Sequence, residues 1–261
     1  LNQSPLVSII IPTYNRCTYL KETLYSIFSQ TYSNFEIIVV SDNSSDETTN
    51  MIKGFNDTRC KLYFLNVKSN GPALVRNFGI KMAKGNFIAF CDDDDLWAPD
   101  KLSTQIRKIT SDDKLVMVAT NVKYFGDLNY QFILFSKIKS FINTFPFISP
   151  KYLLPFYNCL VISSTLIRKE VMDNYYFNET NDYQGHEDLD LWLKICSTQK
   201  ALIIKEKLTF YRVHPNQLSN FTNLSYKKQS LKMLTQHFSS LNALQKFICT
   251  IRLIFYKLFK Y

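Results

Sequence analysis

Four consecutive carboxylates, Asp92-Asp93-Asp94-Asp95, follow the short apolar run FIAF at residues 87–90. Adjacent carboxylates repel one another, and a divalent cation relieves that repulsion; oxygen ligands suit Mg²⁺ or Mn²⁺. Mg²⁺ commonly takes one or two carboxylates and lets substrate phosphates complete its octahedron. A solvated acidic turn is the plain alternative. A second group, His186-Glu187-Asp188, opens the apolar helical run 189–196. A carboxylate such as Asp188 at that point could act as a general base, although acids also favour the positive end of any helix. After the run EIIVV, Asp42-Asn43-Ser44-Ser45-Asp46 offers short acceptors for a nucleoside base or ribose, in a composition that also makes ordinary turns. Arg76, in Arg76-Asn77-Phe78-Gly79, could meet a phosphate or a base edge. In Tyr211-Arg212-Val213-His214, alternation puts Arg212 and His214 on one side of an extended segment, where they could bind a diphosphate or the metal.

Other chemistries lack their residues. There is no GxxxxGK[ST] phosphate loop, no GxGxxG fingerprint, no GxSxG elbow and no HExxH. Three histidines are too few for a His-rich metal centre.

The elements that must position these groups alternate along the first hundred residues. Residues 7–11 form a β-branched run of the kind found in buried parallel strands, ended by Pro12 to Asn15. Residues 20–30 have helical spacing, with Leu20, Leu24, Ile27 and Phe28 on one face. Strands are expected at 36–40, 61–65 and 87–90, and helices at 48–55 and from the Asn70-Gly71-Pro72 turn to about Ala83. That βαβαβαβ order implies an α/β fold with a parallel sheet and helices on both faces. Ligands in such sheets bind beyond the carboxyl ends of the strands. Those ends carry Thr13, Tyr14, Asp42, Asn43 and the aspartate run. Residues 121–169, rich in Phe, Tyr and Ile, read as loops and irregular strands walling one side of the crevice, with strand character returning over 158–167.

Composition narrows the class. Of 261 residues, 46% are hydrophobic and 20% charged, which excludes a disordered chain, a collagen-like chain and a polytopic membrane protein. The net charge of +9 is concentrated: after Glu206 there is no acid, and Lys207, Arg212, Lys227, Lys228, Lys232, Lys246, Arg252, Lys257 and Lys260 supply the whole excess. The body is formally neutral, which argues against nucleic acid as a partner. Six scattered cysteines with no CxxC or Cys/His zinc spacing read as small buried hydrophobes in a reducing compartment. The first apolar run is too short for a signal peptide, and the expected location is cytoplasmic.

Taken in order, VSIIIPTYNR, EIIVVSDNSSDET, NGPALVRNFGI, GNFIAFCDDDDLWAPDKL and HEDLDLWLKI closely resemble the family 2 glycosyltransferases, from about Leu6 to His214. The resemblance implies the GT-A fold, a Rossmann-like, mostly parallel sheet flanked by helices. It implies a metal-dependent inverting enzyme of the hexosyltransferase type that takes a nucleotide sugar and glycosylates a hydroxyl of a glycan or lipid-linked acceptor, in bacterial surface polysaccharide or glycolipid synthesis. Carried over by position, Thr13, Tyr14 and Asp42 contact the base, with a leaning towards uridine, and Arg76 lies near base and phosphates. Asp92 and Asp93 bind the donor within the DxD motif, and Asp94 holds Mn²⁺ or Mg²⁺. Glu187 and Asp188 form the acid pair, Asp188 being the base, while Arg212 and His214 meet the diphosphate and the metal. Ser41 departs from the acid that many members carry there, and Asn43 stands where glycine is frequent, a position that Asn also tolerates with left-handed backbone. Two rivals are a sugar-1-phosphate nucleotidyltransferase, which needs a glycine-rich basic loop where Pro12-Thr13-Tyr14-Asn15 stands, and a degenerate glycan- or nucleotide-binding module, which would have lost the metal acids or the base.

The expected organisation is a glycosyltransferase domain over 1–224, with a nucleotide-sugar half (1–110) and an acceptor half (111–224). A basic, amphipathic helical extension follows over 225–261. In that tail Leu241, Leu244, Ile248, Ile251, Phe255 and Leu258 share a stripe, with Lys246, Lys257 and Lys260 opposite. Such a helix suits an anionic membrane surface and peripheral attachment at the inner leaflet; packing on its own domain or a second subunit is the alternative.

Overall fold

A computed structural model describes residues 4–65, 69, 71–144, 149–155, 157–180, 183, 185–215, 217, 232–237, 239, 241, 243, 244, 246, 247, 249 and 250. The β-branched runs become the centre of the sheet. β1 (Val7–Thr13) and β2 (Phe35–Ser41) are buried at every residue. Alternation divides β1 between two cores. Ile10 points to one face with Ile38, Val40 and Ile80, and Ile9 and Ile11 point to the other with Leu20, Leu24 and Ile106. Continuous apolar strands therefore serve a sheet covered on both sides. β3 (Cys60–Phe64) and β4 (Phe87–Phe90) complete a parallel group in the order β3-β2-β1-β4. α1 (Cys17–Phe28), α2 (Thr48–Gly54) and α3 (Pro72–Met82) make the crossovers. Gly79 lets α3 lie close on β1: a Cβ there would stand 2.5 Å from Ile10 Cγ2.

β1 runs two residues past the expected stop at Ile11. The reason lies in its neighbours. Cys91 N donates to Ile10 O, so the ladder on the β4 side ends there, and Pro12, two residues on, faces that vacated edge. Its missing N–H leaves no partner wanting. On the other side β1 stays paired with β2 through Thr13↔Ser41.

Beyond β4 the sheet is mixed. The full order is β3-β2-β1-β4-β7-β6-β8-β5, with β6 (Leu115–Gly126) parallel to β8 (Lys200–Val213). β7 (Thr165–Arg168) runs antiparallel between β4 and β6, and β5 (Leu96–Trp97) antiparallel on β8. α4 (Lys101–Thr110) packs on β6. The expectation of loops and irregular strands over 121–169 is corrected here. Residues 121–126 finish β6, α5 (Tyr130–Ile142) is a 13-residue helix capped by Asn129, and α6 (Pro150–Leu153) is a further turn. α5 is apolar nearly all round, so the one-faced spacing used to find helices is missing from it. Of 158–167, only 165–167 are strand; 162–164 form a 3-10 turn. A four-residue helix, α7 (Lys169–Met172), follows β7, and α8 (Glu187–Thr198) begins at the acid pair.

In the tail, Met233, Leu234, Leu241 and Cys249 are buried in the same core as α8, whereas Leu244 of the expected stripe is 53% exposed. Ile248, Ile251, Phe255 and Leu258 lie outside the described residues, as do Lys257 and Lys260. None of the six cysteines is in a disulfide, and four are buried. Among the described residues no helix is long and apolar enough to cross a membrane.

Candidate active site

The strand order reverses between β1 and β4, so a crevice opens at their carboxyl ends. Residues 92–95 leave β4 there and turn back on themselves, with Asp95 N donating to Asp92 O. Thr23 of α1 holds the turn from below, its hydroxyl donating to the carbonyls of Asp93 and Asp95 at 3.0 and 2.8 Å. Ser163 holds it from the side by accepting from Asp92 N at 2.9 Å. The four side chains then part. Asp95 is fully buried and accepts from Arg212 N at 2.9 Å. Burial, with its acidic neighbours, holds its carboxyl well above the usual range. Asp92 accepts from Arg76 Nη2 at 2.6 Å. Asp93 and Asp94 both accept from Arg16 Nη1, at 3.1 and 2.6 Å. Burial and the Asp94 charge push the Asp93 carboxyl up to about 7, against the pull of Arg16.

β8 delivers the expected C-terminal pair. Arg212 and His214 leave the strand on the same side, and both reach Asp94: Arg212 Nε donates to its carbonyl at 2.8 Å, and His214 Nε2 lies 2.9 Å from Oδ2. The Arg212 guanidinium lies over both Tyr19 and Phe125 and also pairs with Glu22. Its position is thus fixed by packing as well as charge.

On the far side of the crevice, Glu187 and Asp188 open α8. Arg76, buried to 3% exposure on α3, joins the two sides. Its Nη1 donates to Glu187 Oε1 at 2.8 Å while Nη2 holds Asp92. Glu187 Oε2 accepts from Gly185 N. Asp188 points elsewhere, accepting from Asn158 Nδ2 at 2.8 Å and Leu189 N at 2.7 Å. Desolvation and then the Glu187 charge push its carboxyl up to about 7, against Arg76 and Asn158. A carboxylate poised there can take and return protons near neutrality.

The nucleotide-side residues sit at the ends of β1 and β2. Thr13 is buried and Tyr14 is 57% exposed. Asp42 is half-buried and accepts from Ser69 N and Oγ, which ties Ser69 to the end of β2; Asn70 lies outside the described residues. Asn43 adopts φ 57°, the left-handed backbone expected of a glycine-like position.

At Asp94 Oδ2 one carboxylate and one imidazole converge, donor types that suit a divalent ion, but Arg16 Nη1 already puts a competing positive charge on that oxygen. Among the described residues no three His, Cys, Asp or Glu side chains surround a single point. An ion held by Asp94 and His214 would draw its other ligands from substrate phosphates and water, as Mg²⁺ and Mn²⁺ sites commonly do. Sequence reasoning missed Arg16, Asn158, Thr23 and Ser163. Arg16 could have been found, since it lies three residues beyond the end of β1; the others carry no local signal.

Comparison with known proteins follows the same lines. The model of the family described as "Glycosyl transferase family 2" matches residues 8–242. A UDP-Glc:alpha-D-GlcNAc-diphosphoundecaprenol beta-1,3-glucosyltransferase of Escherichia coli, WfaP, is 35% identical over 239 residues, 88% of this chain and 86% of its own. In structure, Staphylococcus aureus TarS 1–349 in complex with UDP-GlcNAc superposes with a TM-score of 0.75 at 19% identity, over 97% of this chain and 73% of that one. A mannosyltransferase of Pyrobaculum calidifontis, in complex with GDP-Man and Mn²⁺, gives 0.69 at 18%, over 95% and 69%. At those identities the two structures speak to the fold, which is GT-A.

Proposed function

The chain belongs to the family 2 glycosyltransferases, and from that premise we propose that it moves a sugar from a nucleotide-sugar donor to a hydroxyl of a lipid-linked glycan, inverting the anomeric carbon. The observation that carries this reading is Arg76, which bonds Asp92 at one wall of the crevice and Glu187 at the other. It supports one site in which the donor-side acids are tied to the acid pair that includes the base. WfaP's name supports a UDP-linked donor and a diphosphoundecaprenol-type acceptor.

In this reading Thr13, Tyr14 and Asp42 flank the nucleoside, and Asp92 and Asp93 with Arg76 and Arg212 line the diphosphate. Mn²⁺ or Mg²⁺ bound at Asp94 and His214 would neutralise charge on the departing nucleoside diphosphate; the solved mannosyltransferase with Mn²⁺ supports a divalent ion in this fold. Asp188 removes the acceptor hydroxyl's proton as that oxygen bonds the anomeric carbon and the carbon–diphosphate bond breaks. Attack from the face opposite the leaving group inverts the centre. Asn158 and Leu189 N aim the carboxylate and oppose its protonation.

The test is a screen of UDP-, GDP- and dTDP-sugars with Mn²⁺ or Mg²⁺, reading thermal shift and nucleotide release. Stabilisation by one donor, abolished by EDTA, is expected. Folded protein that responds to no donor, with or without an undecaprenyl-diphosphate-linked acceptor, would favour the degenerate binding module.

A further inference from the structure

α5 carries an apolar face that the domain leaves uncovered. Tyr130 is 79% exposed, Phe141 64%, and Leu134, Phe135 and Ile138 51% each. At about 100° per residue these five fall in one arc, with exposed Lys137 at one edge; Lys139, at the other, turns its ammonium over the Tyr157 ring, 5.6 Å from the centroid. No acid occurs from residue 128 to residue 169. Isolated exposed hydrophobics need no explanation, but five on one helix form a patch. The charge beside it selects the partner. An exposed lysine next to aromatic and aliphatic side chains, in a stretch without acids, matches the interface of a bilayer carrying anionic headgroups.

We propose that α5 lies on an anionic lipid surface, its apolar face in the headgroup boundary and Lys137 at the phosphates. The helix adjoins the site. Asn121 of β6 donates to Ser140 O at 3.0 Å, and Tyr157 Oη donates to Asn143 Oδ1 at 2.8 Å. Tyr157 precedes Asn158, the residue that bonds Asp188. α5 therefore stands between that lipid surface and the segment that carries Asn158, and a lipid-linked acceptor would have to bring its hydroxyl past the helix to the general base. The purpose assigned to the surface rests on the lipid-linked acceptor reading; the binding itself does not. Among the described residues of the tail, Met233, Leu234, Leu241 and Cys249 are turned into the domain while Leu244 and Phe247 are exposed, so the tail supplies the comparison variant.

The experiment is co-sedimentation of the full chain with phosphatidylglycerol/phosphatidylcholine vesicles and with phosphatidylcholine alone, without donor or acceptor. The expected result is binding to the anionic vesicles that weakens with salt. Leu134→Glu/Ile138→Glu should cut it at least ten-fold, and Leu244→Glu/Phe247→Glu in the tail less than two-fold. Thermal melts of both variants check the fold. A second reading needs no loss of apolar surface. Trp97 and Trp192 are buried, so Phe141→Trp adds an exposed reporter whose emission should shift to the blue only with anionic vesicles. The proposal is overturned by absence of binding at low salt, by loss in the tail variant alone, or by an unshifted emission from the Phe141→Trp variant. It is also overturned by a wild-type dimer that the α5 variant abolishes without vesicle binding, which would make the face a contact between copies. Vesicle binding by a protein that uses no nucleotide sugar would sink the functional reading and leave this one standing.

Discussion

Replacing Asn158 by Ala tests the base through its neighbour. Asn158 Nδ2 donates to Asp188 Oδ2 at 2.8 Å, a hydrogen bond that favours the ionised carboxyl and so opposes the upward push of desolvation. A bond to a charged acceptor contributes about 1.5 kcal/mol at the low end of the usual range. Losing it moves the carboxyl up by about one pH unit, from about 7 to about 8. The base must be deprotonated to act, so the rate rises with pH through that midpoint. At pH 7 the deprotonated fraction drops from about a half to about a tenth, which lowers kcat about five-fold; by about pH 9 the two enzymes converge. The assay is nucleotide release at saturating donor, acceptor and Mg²⁺ across about pH 5.5–9. A variant that is uniformly slower at every pH, with its midpoint unmoved, would refute the electrostatic reasoning. A wild-type profile flat between about pH 6 and 8 would remove Asp188 from the role altogether.

Further expectations follow from the same geometry. Asp188→Asn keeps the shape and should abolish transfer while donor binding, read by calorimetry, is largely kept; transfer at the wild-type rate would end the assignment. Arg76→Met strands Asp92 and Glu187, and breaking a buried pair typically costs about 3–5 kcal/mol. Its melting temperature should fall on the order of 10 °C, and a change within experimental scatter would show that Arg76 does not bridge the crevice. Asp93 and Asp188 are raised to about 7, so the folded protein holds more protons than the unfolded chain between the ordinary carboxylate range and that value. Stability of the metal-free protein should therefore fall as pH rises from about 4 to 7, and Asp93→Asn should flatten the slope in thermal melts with EDTA. Arg16→Met frees Asp94 Oδ2 of a competing cation and should tighten Mn²⁺ binding several-fold by electron paramagnetic titration; weaker binding would mean that Arg16 helps to shape the site instead.

Much of this molecule is written locally. The runs of β1, β2 and β4 are unbroken because both faces of those strands are buried, and a continuous apolar run needs no partner to be read. The aspartate run, the acid pair and Asn43 announce themselves by residue type, and two-residue alternation alone puts Arg212 and His214 on one side of β8. Pairing obeys no such rule. That Pro12 could sit inside β1 depended on where β4 stops. That β7 runs antiparallel between β4 and β6 depended on strands far apart in the chain. α5 escaped notice because a helix apolar on most sides shows no period, and only the folded domain decides which side stays in water. The division of labour among the four aspartates was equally out of reach. Asp92, Asp93, Asp94 and Asp95 are chemically identical in the chain, and they differ because Arg76, Arg16, His214 and Arg212 arrive from three other parts of the fold to meet them. Local chemistry sets which groups are present; burial and long-range pairing set which of them carries a proton, holds an ion or only closes the fold.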